Sequence, residues 1–173
     1  TENFPKPLLE IKDKPIIEYL LEKISKIKEI DEIFIVTNKK FYQHFKNWNE
    51  NFTFNKKIEI ISDNTLTNEE RLGSIGDINF VINQKKINDD LLVLGGDNLF
   101  DFDLNNFISY FYKKDSDITA LYDLKDLELI KKMSVVEIDE NEKIIYFEEK
   151  PTSPKTTLMS ICCYLYKKET LSL

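Results

Sequence analysis

The feature that most constrains the fold is a short strand, a helix and a second short strand in direct succession. The runs EIFIVT (32–37) and KIEIIS (57–62) are rich in β-branched residues and bounded by polar ones, which predicts two buried strands. Between them, KKFYQHFKNWNE (39–50) has the apolar spacing of a helix. Strands that alternate with helices in this way predict a parallel sheet with helices packed on its faces.

The same alternation continues along the chain. KPIIEYLLEKISKI (14–27) and LNNFISYFYKK (104–114) have helical apolar stripes, whereas LLVLGG (91–96) and DITALYD (117–123) read as strands. We therefore predict an α/β fold with a Rossmann-like, mixed and mostly parallel sheet that is flanked by helices.

The second part of the chain departs from this alternation. SVVEIDENEKIIYFEEK (134–150) predicts an antiparallel hairpin around the polar turn at 139–141, and LMSICCYLY (158–166) predicts one more strand. No repeat or low-complexity linker divides the sequence, so we predict a single domain over residues 1–173. The loop-like opening TENFPKP and the helix-like ending KKETLSL lead us to expect that this domain extends beyond both ends.

Charge and composition exclude several classes of protein. A net charge of −7 disfavours a nucleic-acid binder, which normally presents a basic face. No run approaches the roughly 18 apolar residues of a membrane span, so we expect no membrane partner. The two cysteines, Cys162 and Cys163, are adjacent and form no disulfide framework, which predicts a reducing, cytoplasmic setting. Formation of a homo-oligomer is left open.

The stretch LLVLGGDNLF (91–100) is the first candidate for a functional site. Asp97 falls just past the carboxyl end of a predicted strand, where open α/β sheets bind ligands. Gly95 and Gly96 carry no side chain and let the backbone approach a ligand closely. A carboxylate here suits Mg²⁺, which takes one or two carboxylates and substrate phosphates. Alternatively, Asp97 and Asn98 cap a turn; this stretch alone supports both interpretations equally.

Three other stretches are weaker candidates when each is taken by itself. RLGSIGD (71–77) places two glycines before a helical pattern and resembles an anion- or base-binding turn. Lys6, between two prolines in FPKPLL, has a stiffened backbone that suits phosphate binding. FEEKP (147–151) places two acids and a lysine at a strand end. An ordinary turn, an exposed loop lysine and an exposed strand end explain each of them at least as well.

The order of these motifs carries more information than any one of them. The segments FPKPLLEIKDKPIIEYLL, RLGSIGD, VLGGDNLF and FEEKP, followed by PKTTL, extend over nearly the whole chain. In this order they resemble the sugar-1-phosphate nucleotidyltransferase family, nearest to its glucose-1-phosphate thymidylyltransferase-like members. The resemblance implies a nucleotide-diphospho-sugar transferase fold and a Mg²⁺ cofactor. It also implies a reaction in which a nucleoside triphosphate (NTP) and a sugar 1-phosphate give a nucleoside-diphosphate sugar and pyrophosphate.

The resemblance implies catalytic roles for three residues. Lys6 matches the lysine of the family's P-K-P segment, which contacts the nucleotide and sugar phosphates. Asp97 matches the aspartate that binds the catalytic Mg²⁺. Lys150 matches the lysine of the E-K-P segment, which contacts the sugar phosphate.

It also implies substrate-binding roles. Gly73 and Ser74 fall in the turn whose backbone faces the nucleotide base, and Glu149 matches the glutamate that contacts sugar hydroxyls. Gly96 and Asn98 flank Asp97 and are expected to contact substrate beside the metal ion.

The sequence departs from the family pattern in several places. The family's glycine-rich G-x-G-T-R-L turn would stand just before Thr1, and its second metal-binding aspartate would lie beyond Leu173. Asp77 replaces a common alanine, and Cys162 stands where many relatives have a glycine. The nucleobase and the sugar therefore stay undetermined. A non-catalytic module that binds nucleotide sugars is the alternative to an enzyme.

Overall fold

The computed structural model describes residues 3–67 and 69–172. Within them five α-helices form, namely α1 (Ile16–Ile24), α2 (Lys39–Asn51), α3 (Gly73–Lys85), α4 (Leu104–Lys114) and α5 (Leu127–Ile130). The nine strands are β1 (Glu10–Ile11), β2 (Lys14–Pro15), β3 (Glu32–Thr37), β4 (Lys57–Ser62), β5 (Leu91–Leu94), β6 (Ile118–Asp123), β7 (Ser134–Ile138), β8 (Ile144–Glu149) and β9 (Leu158–Tyr166). Short 3-10 turns at Lys6–Leu8 and Thr170–Ser172 lie near the two ends.

The first half of the chain forms the elements that its periodicity predicts. β3 and β4 occupy the predicted residues and pair in parallel, with Glu32 opposite Lys57. α2 connects them, and it begins where the Asn38 side chain accepts a hydrogen bond from the Phe41 N–H at 3.0 Å. The predicted helix over 14–27 is shorter, because β2 takes its first two residues into a small hairpin with β1.

The predicted α/β fold with an added antiparallel hairpin is confirmed. The sheet was predicted to be mostly parallel, but most of the described strand pairs are antiparallel. Among the described strands, β3–β4 is the parallel pair, whereas β9 runs antiparallel to β5, β6 and β7. The direction of β9 follows from the connections before it, because β7 and β8 form a hairpin that leads into β9. A hairpin reverses the direction of the chain, whereas a crossover helix between two strands preserves it. The short helix α5 was not predicted.

The β7–β8 hairpin lies at the edge of the five-stranded sheet and contains an irregularity. Glu137 pairs with Tyr146, and the next residue, Ile138, pairs with Ile144, which leaves Ile145 without a partner on β7. The hairpin turn is anchored to α4, because Glu142 forms an ion pair with Lys114 at 2.7 Å.

The hydrophobic core joins the helices to the β3–β4 sheet and to the five-stranded sheet. Ile17, Leu21 and Ile24 of α1 pack in one cluster with Phe111 of α4 and Cys163 of β9. The stripe on α1 repeats every three or four residues, which is why one face of the helix is buried. No helix in the described ranges has both the length and the apolar character needed to cross a membrane.

Candidate functional site

A groove of about 890 Å³ lies between the β3–β4 sheet and the five-stranded sheet. One wall is β3, at residues 33–36, and the other is β5 with the two glycines that follow it, at residues 91–96. We call this space the β3–β5 groove. Pro7, Ser74 and Cys162 also line it, so the segments that the sequence singled out around Lys6, Gly73 and Asp97 all border this groove.

Gly95 is required by the packing at the end of β5. Its N–H donates to the Cys162 carbonyl at 2.8 Å, and its carbonyl accepts from the Asn98 N–H at 3.0 Å. A β-carbon at this position would lie 2.8 Å from Asn98 Nδ2 and 3.0 Å from the Cys162 β-carbon. Since real β-carbons do not approach other atoms this closely, only glycine fits between Asn98 and β9 without a shift.

Gly96 forms the contact that holds the Lys6 segment next to the end of β5. A β-carbon on Gly96 would lie 3.3 Å from Pro7 Cγ, so Pro7 packs almost directly on the glycine backbone. Lys6 begins the 3-10 turn that contains Pro7, and its carbonyl accepts from the Leu9 N–H at 3.0 Å. Lys6 itself is exposed, whereas Pro5 on its other side is buried. The turn therefore holds the lysine backbone while leaving its ammonium group in solvent.

Asp97 is exposed in the turn that follows β5, and it lies near Cys162. Burial raises the pKa of the Cys162 thiol, and the negative charge of Asp97 raises that pKa further. Within the described ranges, no three His, Cys, Asp or Glu side chains come together as a metal-binding cluster. The donor set at Asp97 is thus one accessible carboxylate beside an asparagine, which fits Mg²⁺ held mainly by substrate phosphates.

The first turn of α3 supplies another wall of the groove. Gly73 opens the helix with a φ of 73°, a value that favours glycine, and Ser74 follows it into the groove lining. Asp77 lines the groove one turn further on. Its buried Oδ1 atom has no hydrogen-bond partner among the described residues. Burial raises the pKa of the Asp77 carboxyl, and the charge of Asp63 adds to this rise.

Glu149 and Lys150 lie elsewhere. They are exposed at the end of β8, and in the sheet β7 stands between β8 and β9. The Lys150 N–H donates to the Met133 carbonyl at 2.8 Å, and its φ of 49° turns the chain sharply there. Neither residue lines the β3–β5 groove. The structure thus brings the Lys6, Gly73–Ser74 and Gly95–Asn98 segments together and leaves Glu149 and Lys150 on a separate edge.

Two residues that line the groove, Cys162 and Asp77, have structural roles that the sequence analysis did not predict. Cys162 reads as an ordinary strand residue, yet its backbone and β-carbon position Gly95. The sequence analysis noted that an acid, Asp77, replaces a common alanine. It did not predict that the Oδ1 atom of this residue is buried without a hydrogen-bond partner among the described residues.

Comparison with known proteins identifies the family of this chain. The protein-family model described as Nucleotidyl transferase matches residues 1–173, which is the whole chain. The chain therefore belongs to the nucleotidyl transferase family that includes the sugar-1-phosphate nucleotidyltransferases. The resemblance inferred from the four ordered motifs is confirmed.

Individual relatives extend this result. The chain is 29% identical to the bifunctional protein GlmU of Methanocaldococcus jannaschii, covering 100% of this chain and 37% of that protein. It is 28% identical to a putative mannose-1-phosphate guanyltransferase of Sulfolobus acidocaldarius, covering 97% and 44% of the two chains. It thus spans less than half the length of these relatives.

A solved structure shares the fold. The crystal structure of a putative glucose-1-phosphate thymidylyltransferase from Bacillus anthracis superposes with a TM-score of 0.76 at 22% identity. The match covers 99% of this chain and 66% of the crystallised one. At this identity, the likeness shows the fold of nucleotide-diphospho-sugar transferases and no more.

Proposed function

We propose that this chain is the substrate-binding part of a nucleotidyltransferase that joins a sugar 1-phosphate to an NTP. An oxygen of the sugar phosphate attacks the α-phosphorus, the bond from the α-phosphorus to the bridging oxygen breaks, and pyrophosphate leaves. The observation that carries the proposal is the packing of Pro7 on Gly96, which brings the Lys6 and Asp97 segments together beside the groove. The family match over the whole chain supports it.

The residues of these two segments suit two anionic substrates. Lys6 offers an exposed positive charge. The bare backbone of Gly95 and Gly96 packs against Asn98, Cys162 and Pro7, and this packing fixes the turn that carries Asp97. Asp97, with Asn98 beside it, would hold Mg²⁺. The ion would neutralise charge on the phosphates when bound. Positioning and charge neutralisation are the main requirements of phosphoryl-type transfer, and these groups address both.

The remaining site residues keep their proposed roles. Gly73 and Ser74 would face the nucleobase at the start of α3, which lines the same groove. Glu149 and Lys150 do not line the groove, so they would contact only a part of the sugar 1-phosphate that extends beyond it toward the end of β8. The substrate pair we favour is that of a glucose-1-phosphate thymidylyltransferase. Relatives named for uridylyl, guanyl and adenylyl transfer make this choice one to be tested.

The reaction is tested by measuring pyrophosphate release from the full-length protein with four NTPs and several sugar 1-phosphates. Asp97→Asn should lower the rate about 10²–10³-fold, as expected when one charge-stabilising group is removed. Asp101→Asn is the matched control, since it removes a nearby exposed carboxylate to which no role in the reaction is assigned. Unchanged turnover in Asp97→Asn would reject the role given to Asp97. Tight binding of nucleotide sugars without any turnover would favour the non-catalytic module.

We place the protein in the reducing cytoplasm, because Cys162 and Cys163 are both free thiols. Its proposed partners are the two small substrates, with neither nucleic acid nor membrane among them. Cell fractionation with immunodetection tests the location, and light scattering tests for a homo-oligomer.

A further inference from the structure

The turn of the β7–β8 hairpin is held against helix α4 by side-chain contacts. The Glu142 carboxylate, which lies in this turn, accepts a hydrogen bond from the Tyr110 hydroxyl at 2.5 Å and pairs with the Lys114 ammonium at 2.7 Å. The same ammonium group donates to the Asn141 carbonyl at 3.3 Å. Tyr110 and Lys114 are four residues apart and therefore lie on one face of α4. We call the contacts among Tyr110, Lys114 and Glu142 the hairpin clamp.

The turn presents its carboxylate in a defined position. Glu142 has a φ of 65°, a conformation that residues other than glycine seldom adopt. The Asp139 side chain braces the turn by accepting hydrogen bonds from two of its N–H groups at 2.9 and 2.8 Å. Hydrogen bonds from Lys114 and Tyr110 lower the pKa of the Glu142 carboxyl. The carboxylate is therefore ionised at neutral pH, and the ion pair with α4 is complete.

The rest of the hairpin is attached to the sheet over a short length. Among the described residues, β7 pairs with β9 at one position, where Val135 stands opposite Met159. Val135 and Val136 are buried at this base, whereas Ile138 and Ile144, which lie nearer the turn, are 38% and 41% exposed. Burial thus fixes the base of the hairpin, and the clamp restrains its turn.

The attached base lies directly beside two residues of the proposed site. Val135 pairs with Glu148 on β8, and the exposed residues Glu149 and Lys150 follow at once. The Lys150 N–H also donates to the Met133 carbonyl at 2.8 Å. Because paired strands move as one ladder, a rotation of the hairpin about its base redirects the side chains that follow β8. The clamp at the opposite end of the hairpin sets this direction.

Helix α4 connects the clamp to the β3–β5 groove. Ile108 and Phe111 are buried in the core and line the groove, whereas Tyr110 and Lys114 of the same helix contact the hairpin. One helix therefore forms part of the groove wall and also holds the hairpin. Its position fixes where the end of β8 stands relative to the groove.

We propose that Tyr110 and Lys114 are positioning residues that act through Glu142. They hold the β7–β8 hairpin so that Glu149 and Lys150 reach the part of the sugar 1-phosphate that extends beyond the groove. This inference rests on the proposed function, which gives the sugar to the end of β8 and the NTP to the groove. Loosening the clamp therefore weakens binding of the sugar 1-phosphate and leaves binding of the NTP unchanged.

Steady-state kinetics of pyrophosphate release by the full-length protein test this division. Lys114→Gln and Glu142→Gln should each raise the KM for the sugar 1-phosphate about threefold, the size expected for loss of an exposed ion pair. The KM for the NTP should not change. The double variant should be no worse than either single variant, because both remove the same contact. Tyr110→Phe should change the same KM in the same direction.

Lys167→Gln is the matched control. It breaks an ion pair of 2.5 Å with Asp115, the residue that ends α4, and the Lys167 side chain is 30% exposed against 34% for Lys114. This pair joins α4 to the end of β9 and not to the hairpin, so both KM values should stay as in the wild type. A rise in the control equal to that in Lys114→Gln would overturn the proposal.

Hydrogen exchange followed by mass spectrometry examines the clamp without turnover. Exchange in β8 of the full-length protein should become about threefold faster in Lys114→Gln and in Glu142→Gln, and it should not change in Lys167→Gln. Unchanged exchange in the first two variants would show that the clamp does not restrain the hairpin.

Two further kinetic results would overturn the positioning role. They are an equal rise in both KM values, which a general structural role would give, and additive effects in the double variant. Absence of turnover in the wild type would instead reject the proposed reaction. Calorimetry with glucose 1-phosphate then compares the same variants: weaker binding than in the wild type supports the clamp, and equal or absent binding overturns it.

Discussion

Gly95 lies against Asn98 so closely that a β-carbon on the glycine would stand 2.8 Å from the asparagine Nδ2 atom. The Asn98 side chain therefore folds over a backbone position that must stay bare, and Asp97 is held between these two residues. Among the described residues the Asp97 carboxylate has no hydrogen bond or ion pair, so its position depends on the contacts of its neighbours.

Replacing Gly95 by alanine should disturb this arrangement. The new methyl group meets both Asn98 and Cys162, and we expect the Gly95–Asp97 turn to move by a fraction of an ångström or more. Such a displacement should lower the proposed turnover of the full-length protein by about 10²-fold. Steady-state kinetics measure this effect. Cys162→Gly in the same chain removes one of the two contacts and should restore part of the rate; no restoration would contradict the packing described for β9.

Asp77 should make the stability of the 173-residue chain depend on pH. Its pKa in the folded state is raised above the ordinary 3.8. As the pH rises through 3.8, the unfolded carboxyl ionises first, so the folded state loses stability between 3.8 and the raised pKa. Asp77→Asn removes this loss. Urea unfolding should show that the free energy of unfolding of the variant rises relative to that of the wild type as the pH rises across this window. Above the window the difference should stay constant.

Asp89→Asn is a suitable control for that measurement, because Asp89 is exposed. The same pH-dependent gain in this control would show that the effect reflects overall charge. A gain confined to Asp77→Asn supports the buried carboxyl as its source.

Cys163 should be unreactive in the native protein. Burial raises the pKa of its thiol to about 12, and its side chain is 0% exposed. At pH 8 roughly one molecule in ten thousand would carry the thiolate that reacts with iodoacetamide. Mass spectrometry should find Cys163 unmodified in the native chain and fully modified in urea. Rapid native labelling of Cys163 would show that β9 is less tightly packed than described.

Asn38→Ala should destabilise the chain by about 1 kcal/mol, because it removes the acceptor that caps α2. Asn38→Asp retains an acceptor oxygen and should leave the free energy of unfolding nearly unchanged. Urea denaturation of the three proteins measures the difference. If the aspartate variant loses as much stability as the alanine variant, the cap is not the source of the loss.

Local patterns predicted the elements well, because a strand or helix that buries one face records its period in the sequence. β3, β4 and β9 lie at the predicted residues, and α2 differs by one residue at its end. α5 was missed because four residues hold too little periodicity, and its start depends on Asp126, which accepts hydrogen bonds from the Glu128 and Leu129 N–H groups.

Long-range relations were less accessible to sequence. The insertion of β9 between β5 and β6 depends on pairing between strands that are far apart in the sequence, and no local period encodes this. For the same reason, the sequence indicated Lys6 and Asp97 but not the contact of Pro7 with Gly96 that brings their segments together. The separation of Glu149 from the groove likewise depends on β7 lying between β8 and β9.

The unpaired Ile145 affects the aggregation of this protein at high concentration. β8 is an edge strand that exposes Ile144, Ile145, Tyr146 and Phe147 in succession, a composition prone to edge-to-edge aggregation. The extra residue breaks the regular spacing of backbone groups along this edge, so a straight strand from a neighbouring molecule cannot bond on both sides of it. The bulge thereby protects an apolar edge against fibre-like growth.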